Sequence, residues 1–552
     1  MAQGRTEKSL YVKNVFSIFR GIDEKRDAEP VCIFKVPNSQ SSTKPEAYVP
    51  QQVGLGPYHH QRVEIQHMQT FKLAQAKRIL MAFGSSVRFE KLVEVLEELI
   101  VSSVRARYNT YLDMPDTDLA CIMAIDGLFL FDLLGFYGID NDSSNSELFR
   151  KLMSSDEGKL DRDSTLRDAM ILESQIPMPV LKFILIVEGK HSDSDYEEME
   201  ADSLAVVAEV FPQMLLGFCQ AVSPLKVLKN YPRLKALRHH HLLDLLYHLM
   251  VLKDLPSKNF KEEEEEVNFI KDMSNKVKNV LHRQMPKSLD PQKTEFQTFL
   301  EGMAGVMDSE VGKPFKVAEG LVGISFQTLI SSIQDLTTKE PPVFLPRASK
   351  LCAAGVKFCH DEDNHVTNIR FDLNTASFQL PVIRLNVNSE VIIRNLVAYE
   401  AMINSESKSL VLTRYSELMS ELIETVEDVK VLTDHGIISK AESIDDEEIA
   451  KMFKGMRKRE RVTNPLKDDD KLVPLERAIK DVNSYYHGTW KVKVKKWGRI
   501  TWKLNKVLLA LVVVFLLATQ SVCSVYDCPG LHHLKNTSQL QRSSLGRKLN
   551  WI

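Results

Sequence analysis

Fifteen histidines are spread along the 552-residue chain. The densest group lies in RHHHLLDLLYHLMVL, from Arg238 to Leu252. On a helix His240 and Asp244 stand one turn apart, and His241 and His248 two turns apart. Two imidazoles and a carboxylate are the donor types a divalent transition metal takes. In the same segment Leu242, Leu245, Leu246 and Leu249 form an apolar stripe, and a histidine beside such a stripe ordinarily serves as a hydrogen-bonded boundary residue. His59-His60, with His67 beyond, sits in a loop and reads the same way. Asp126 and Glu173 lie inside apolar segments, where paired carboxylates usually satisfy backbone or helix–helix hydrogen bonds.

Other chemistry-bearing spacings fail. Six residues separate Gly305 from Gly312-Lys313 where a phosphate loop needs four, and Pro314 replaces the magnesium-binding hydroxyl. Ser325 lacks the closing glycine of a nucleophile elbow. Gly54-Leu55-Gly56 runs into Pro57 without a third glycine, so it is no dinucleotide fingerprint. There is no H-E-x-x-H and no C-x-x-C. Catalytic, cofactor-binding and metal-ligating residues are therefore left unassigned, and no cofactor is expected.

The elements that would position such residues are mostly helical. FEKLVEVLEELIVSSV places Leu92, Val95, Leu96, Leu99 and Ile100 on one face, away from most of its glutamates. CIMAIDGLFLFDLLGFYG, Cys121 to Gly138, is apolar nearly all round and reads as a buried helix. DAMILESQIPMPVLKFIL is predicted helical until Pro177 and Pro179 break it. The acidic runs Gly189–Ser203 and Glu262–Glu266 read as solvated loops. AYVPQQVGLGPYHH, Ala47 to His60, holds too many breakers for a helix and reads as an ordered loop. One β signal stands out. Ile369, Phe371 and Leu373, then Phe378, Leu380 and Val382, alternate with polar residues around Asn374-Thr375, predicting a hairpin that buries all six.

Composition narrows the class. With 44% hydrophobic and 26% charged residues the chain is a folded protein, and its net charge of −3 excludes a generally basic nucleic-acid binder. Seven scattered cysteines argue against a disulfide scaffold. The C-terminal region is different. Val507 to Ala518 is continuously apolar, and the run to Tyr526 would span about 30 Å as a helix, the thickness of a bilayer core. Lys491, Lys493, Lys495, Lys496, Arg499, Lys503 and Lys506 precede it without an acidic residue, interleaved with Trp490, Trp497 and Trp502. Interfacial tryptophans and a basic flank predict lipid contact and hold the preceding bulk in the cytosol.

The ordered series CIFKVP, AYVPQQVGLGPYHH, HMQTFKLAQAKRIL, MAIDGLFLFDLL, MILESQIPMPVL, HHHLLDLLYH, PRASKLCAAGVKF, IIRNLVAYE and DVKVLTDHGII resembles the plant family called domain of unknown function 247, of the UPF0481 type. The resemblance covers Val31 to Tyr526. Ser174 departs from it, standing where asparagine is usual, as does Leu55, where isoleucine is frequent. The tail after Tyr526 is also longer than is typical. The resemblance implies a mainly α-helical fold, one C-terminal transmembrane helix and no assigned enzymatic activity. Some grass members lie at loci of pollen–stigma self-incompatibility, where they are recognition determinants, so the resemblance implies a role in self-incompatibility or other signalling.

The expected organisation is an N-terminal segment, 1–30, then a mainly α-helical domain, 31–440, with a hairpin near 366–385. A charged and basic juxtamembrane region, 441–505, a transmembrane helix, 506–526, and an extracytosolic tail, 527–552, follow. The function expected is a single-pass, membrane-anchored, non-enzymatic interaction or recognition protein at the plasma membrane or an endomembrane. Its partners would be the lipid bilayer and an unidentified protein, not nucleic acid. The alternative is an enzyme using one of the histidine groups. The loop residues Tyr48, Pro50, Gly54, Gly56, Pro57, Tyr58 and His59 are read either as an interaction surface or as a buried structural belt. The membrane-surface contacts are Lys491, Lys493, Lys495, Lys496, Trp497, Arg499, Trp502, Lys503 and Lys506.

Overall fold

A computed structural model describes residues 30–82, 88–135, 162–188, 206–228, 230–252, 260–281, 345–361, 365–403, 410–456, 474–489 and 509–518. The first half is a helical assembly built on the most apolar segment. α1 (Met68–Ala82) and α2 (Phe89–Leu99) pack on α3 (Asp116–Gly135). α3 is apolar on nearly every side, so burying it from every side is its stable solution. Leu119, Ala120, Ala124, Leu128 and Leu134 are fully buried. α2 buries Leu92, Val95 and Leu96 and exposes Glu94 and Glu98, as its 3.6-residue pattern predicts.

α4 (Arg162–Ala169) and α5 (Met178–Glu188) follow, and α5 also packs on α3. Pro177 and Pro179 do not end a helix here. α4 stops before them, a 3-10 turn covers Leu172–Ser174, and α5 starts at Met178, with Pro179 in its first turn. There proline's missing N–H costs nothing. Gly127 lets α3 and α5 come together, because a Cβ there would sit 2.5 Å from Ile184 Cδ1. α6 (Phe211–Val222), α7 (Leu242–Val251) and α8 (Phe260–Leu281) complete this half. Glu262–Glu266, expected in a loop, begins α8, where acidic residues favour the positive end of the helix. Glu266 is buried against Lys182 of α5 at 2.7 Å. The other acidic run, Gly189–Ser203, lies outside the described residues.

The second half carries the small sheets. β1 (Lys357–Asp361) runs parallel to β3 (Ser377–Pro381), and β2 (Arg370–Asp372) runs antiparallel to it. β4 (Ile383–Leu385) pairs in parallel with β5 (Ile438–Lys440). α9 (Ser389–Ile403), α10 (Val411–Leu422), α11 (Val426–Asp434) and α12 (Asp446–Met456) pack around these strands and on one another. The predicted hairpin is β2–β3, with Phe371 opposite Phe378. Its burial differs from strict alternation. Ile369, Phe378 and Leu380 are fully buried, Phe371 and Val382 are half-buried, and Leu373 is 54% exposed. The turn explains Leu373: the Asp372 carboxylate accepts from Asn374 N–H and Thr375 Oγ1–H, so the chain leaves the strand one residue early.

The chain forms two compact units, Met1–Val482 and Asn483–Ile552. α12 and residues 474–482 lie in the first unit. In the second unit the helix Leu509–Ala518 is apolar and solvent-facing, with its large side chains 47–68% exposed. Among the described residues no single helix is long and apolar enough to cross a membrane. The expected 506–526 span is thus described only over ten of its residues, 509–518, and the tail 527–552 lies outside the described residues. α4 and α5 together are apolar enough, but they meet at 84° and their apolar side chains are core.

Phe378→Ala should destabilise the folded domain by about 3–5 kcal/mol, the usual cost of emptying an aromatic core site. Leu373→Ala should change stability by no more than about 0.5 kcal/mol. Urea unfolding of the two variants measures both; equal losses would mean that the hairpin carries the other face inward.

Candidate functional site

Of the loop residues expected to meet a partner, Tyr48, Pro50, Gly54, Gly56, Pro57 and His59 are buried, and only Tyr58 is half-exposed. Of the two readings of Ala47–His60, interaction surface or buried structural belt, this burial suits the belt. A buried segment outside helix and sheet must find partners for its backbone polar groups elsewhere, and four side chains supply them. The Asp168 carboxylate accepts backbone N–H bonds from Gln51, Gln52 and Val53 at 2.6–3.0 Å. Asp126, inside α3, accepts from Gly56 N–H at 2.8 Å and from Lys72 Nζ at 2.5 Å, and Lys72 also donates to Gly54 O. Asn395 of α9 donates to Ala47 O and accepts from Leu172 N–H.

The glycines are required by this course. Gly56 has φ +71°, and a Cβ on Gly54 would lie 2.6 Å from Ile65 Cδ1. Glu173 closes the end of the belt, accepting from Val36 N–H at 2.8 Å and lying 3.3 Å from His59 Nε2. Asp126 and Glu173 thus do the structural work expected of them. Ser174, the departure from the family pattern, is buried, and its hydroxyl has no hydrogen-bond partner among the described residues.

The second polar centre is Asp244, at the start of α7. The helix begins at Leu242, so His239, His240 and His241 lie outside it and helical spacing does not apply to them. His241 caps the helix. Its Nδ1 accepts from Asp244 N–H at 3.2 Å, and its Nε2–H donates to Cys32 O at 3.0 Å. The Asp244 side chain in turn accepts from His240 N–H at 2.8 Å. The arrangement is a variant of the capping box: His241 caps the Asp244 N–H, but the Asp244 carboxylate reaches back to the N–H of His240, one residue before the cap, instead of to that of His241.

Two further rings reach the same carboxylate. His239 Nδ1 lies 3.2 Å from Oδ2, and His248 Nδ1 lies 2.9 Å from Oδ1 and from the Asp244 carbonyl oxygen. Tyr399 of α9 donates to Oδ1 at 2.8 Å, and Tyr231 Oη lies 2.9 Å from His239 Nε2. Spacing alone pairs His240 and His241 with Asp244 and His248; the fold brings in the ring of His239 instead. The missed signal is the H-x-x-D box, which marks where the helix begins.

Burial works against charge at this centre. It opposes ionisation of Asp244, but the hydrogen bonds from His239 and His248 outweigh it and hold the carboxyl well below its usual range. Burial lowers His239 and His240, and pushes His241 down to about 4. Neighbouring α9 and α10 share another buried carboxylate. Glu400 accepts from Leu412 N–H, Thr413 N–H, Thr413 Oγ1 and Tyr247 Oη, and burial raises its pKa. The membrane-surface residues Lys491 to Lys506 lie outside the described residues.

Two outcomes are expected. Lys72→Met leaves Asp126 buried without its cation and should cost about 3–5 kcal/mol; Lys276→Met, which removes an exposed pair with Asp272, should cost less than about 1 kcal/mol. Because His241 is neutral when folded and protonates near 6.5 when unfolded, stability should fall as pH drops from 6.5 towards 4. That loss is on the order of 2 kcal/mol between pH 7 and 5. A stability profile flat over that range would show that His241 takes up its proton in the folded domain as readily as in the unfolded chain.

A family model described as a plant protein of unknown function, DUF247, matches residues 33–519. The Arabidopsis thaliana protein named putative UPF0481 protein At3g02645 is 29% identical over 95% of this chain and 96% of its own length. A second from that plant, UPF0481 protein At3g47200, is 31% identical over 30% of this chain and 33% of its own length. No solved structure matches. With its belt, hairpin and H-x-x-D cap inside the matched region, the chain belongs to the DUF247 family of plant proteins of unknown function.

Proposed function

We propose that the protein is a non-enzymatic interaction protein held to a membrane by its C-terminal apolar segment, with the helical domain in the cytosol. One observation carries the reading. From Leu509 to Leu517 every large apolar side chain is 47–68% exposed, in a chain whose other apolar helices are buried. A contiguous apolar surface of this kind marks a protein or membrane contact. Seven basic residues and three tryptophans just before it select the membrane, since cations and indole rings favour the headgroup zone. The non-enzymatic reading is supported by Asp126, Asp168 and Glu400, whose carboxylates are occupied by backbone and lysine donors rather than presented to a substrate.

Carbonate extraction of plant microsomes tests the anchor: the full chain should stay in the pellet. Leu511→Lys combined with Phe515→Lys should release it, because each lysine near the bilayer centre costs about 2.5–3.5 kcal/mol. Release of the unaltered chain would end the reading. For orientation, an N-terminal tag should be digested on intact microsomes and a C-terminal tag protected; the reverse would place the domain on the other side. Proximity labelling from the intact chain would then name the partner.

A further inference from the structure

The Asp244 centre has a property that helix capping does not need. Capping uses the His241 ring and the Asp244 carboxylate. His239 and His248 add two imidazoles, one on each carboxylate oxygen. We propose that His239, Asp244 and His248 form a binding site for one divalent transition-metal ion of the zinc type. This goes beyond the anchor reading and is independent of it.

Three observations support the site. The first is spacing. One ligand atom from each residue lies within 4.8 Å of the others, and the two measured ring-to-carboxylate separations are 3.2 and 2.9 Å. Ligands of a tetrahedral zinc, with bonds of about 2.0–2.1 Å, stand roughly 3.3 Å apart. The two ring-to-carboxylate pairs are already near that spacing, while the widest pair, within 4.8 Å, must close by up to about 1.5 Å through side-chain rotation. The second is orientation. α7 fixes Asp244 and His248 one turn apart, while Tyr399 Oη and His240 N–H hold one carboxylate oxygen each. Tyr231 stands on the far nitrogen of His239, as the outer partners of metal-bound histidines do. The third is access. The Asp244 side chain is 3% exposed and that of His239 10%, but His248 is 37% exposed, so the cluster meets solvent on the His248 side.

The proton balance closes for His239. Each neutral imidazole has one ring proton, and Nδ1 of His239 now shares it with Asp244. Ligation through Nδ1 moves that proton to Nε2, which then donates a hydrogen bond to Tyr231 Oη. His248 makes the same tautomer shift, giving up its Nδ1–H bond to the Asp244 carbonyl and carrying its proton on Nε2. The metal–nitrogen bond replaces the ring-to-carboxylate hydrogen bond, and no net proton is lost from the ring. Two nitrogens and one oxygen suit zinc, cobalt or nickel; calcium and magnesium prefer oxygen shells. The bound ion would link the 230–241 segment to α7 and, through Tyr399, to α9, which makes it a fastening for the domain.

The test uses the full chain purified in mild detergent, stripped with chelator and titrated with zinc against a chromophoric chelator. One equivalent should bind and raise the melting temperature. X-ray absorption of the zinc-loaded wild type should show nitrogen and oxygen neighbours at about 2.0–2.1 Å with scattering from two imidazoles. His248→Ala and His239→Ala should each weaken binding by at least about 10-fold, and the remote His360→Ala should leave it unchanged. No saturable binding would overturn the site, as would a sulfur-dominated shell, or affinity retained in both histidine variants. Should a variant fail to fold, the wild-type absorption spectrum still decides, because two imidazoles are required.

Discussion

An amide N–H buried without a partner costs as much as several well-packed methylenes gain. That constraint governs this domain, because the belt Ala47–His60 runs through its interior without the hydrogen-bond ladder of a helix or sheet. Asp168, Asp126 with Lys72, and Asn395 replace the ladder. The same economy recurs around Asp244, which closes the start of α7, and Glu400, which meets the first amides of α10. Each carboxylate is itself costly to bury, and each is held by several donors. Removing one donor therefore strands both a charge and a segment of backbone.

These contacts also explain why the first unit behaves as one body. Asn395 reaches back to Ala47, Tyr399 to Asp244, and His241 to the carbonyl of Cys32. The N-terminal strip, the helical first half and the sheet-bearing second half are thereby bonded at long range. Burying hydrophobic side chains alone would allow these parts to slide. A carboxylate that must meet particular amides sets their register, in addition to whatever stability it adds.

Regular elements were the part legible in the sequence. The all-round apolar pattern of α3, the one-faced pattern of α2 and the alternation of β2–β3 each report a local environment repeated over many residues. What stayed hidden depends on single, distant partners. Nothing near Gly54 or Pro57 announces Asp126, and nothing near Gln52 announces Asp168. A loop rich in glycine, proline and tyrosine has the composition of a binding surface, and only those donors and acceptors make it core. The parallel strand β1 escaped because its partner β3 lies across a turn and a 3-10 segment. The histidines were grouped wrongly because helical spacing was extended past the helix start, which His241 itself creates.

The proposed membrane anchor rests on a comparison between helices of like composition. α3 and α7 bury nearly all their apolar side chains, whereas Leu509–Ala518 leaves its eight large ones about half to two-thirds in solvent. Full burial of such a side chain gains about 1.5–3 kcal/mol, so half-exposure forgoes roughly 1 kcal/mol apiece. Over eight side chains the total approaches the entire stability of a typical domain, about 5–15 kcal/mol. A surface of that cost is retained where its surroundings are themselves apolar. A protein groove would require no charge beside it, whereas seven cations and three indoles immediately upstream in sequence suit a bilayer, whose headgroups receive them as its hydrocarbon receives the helix.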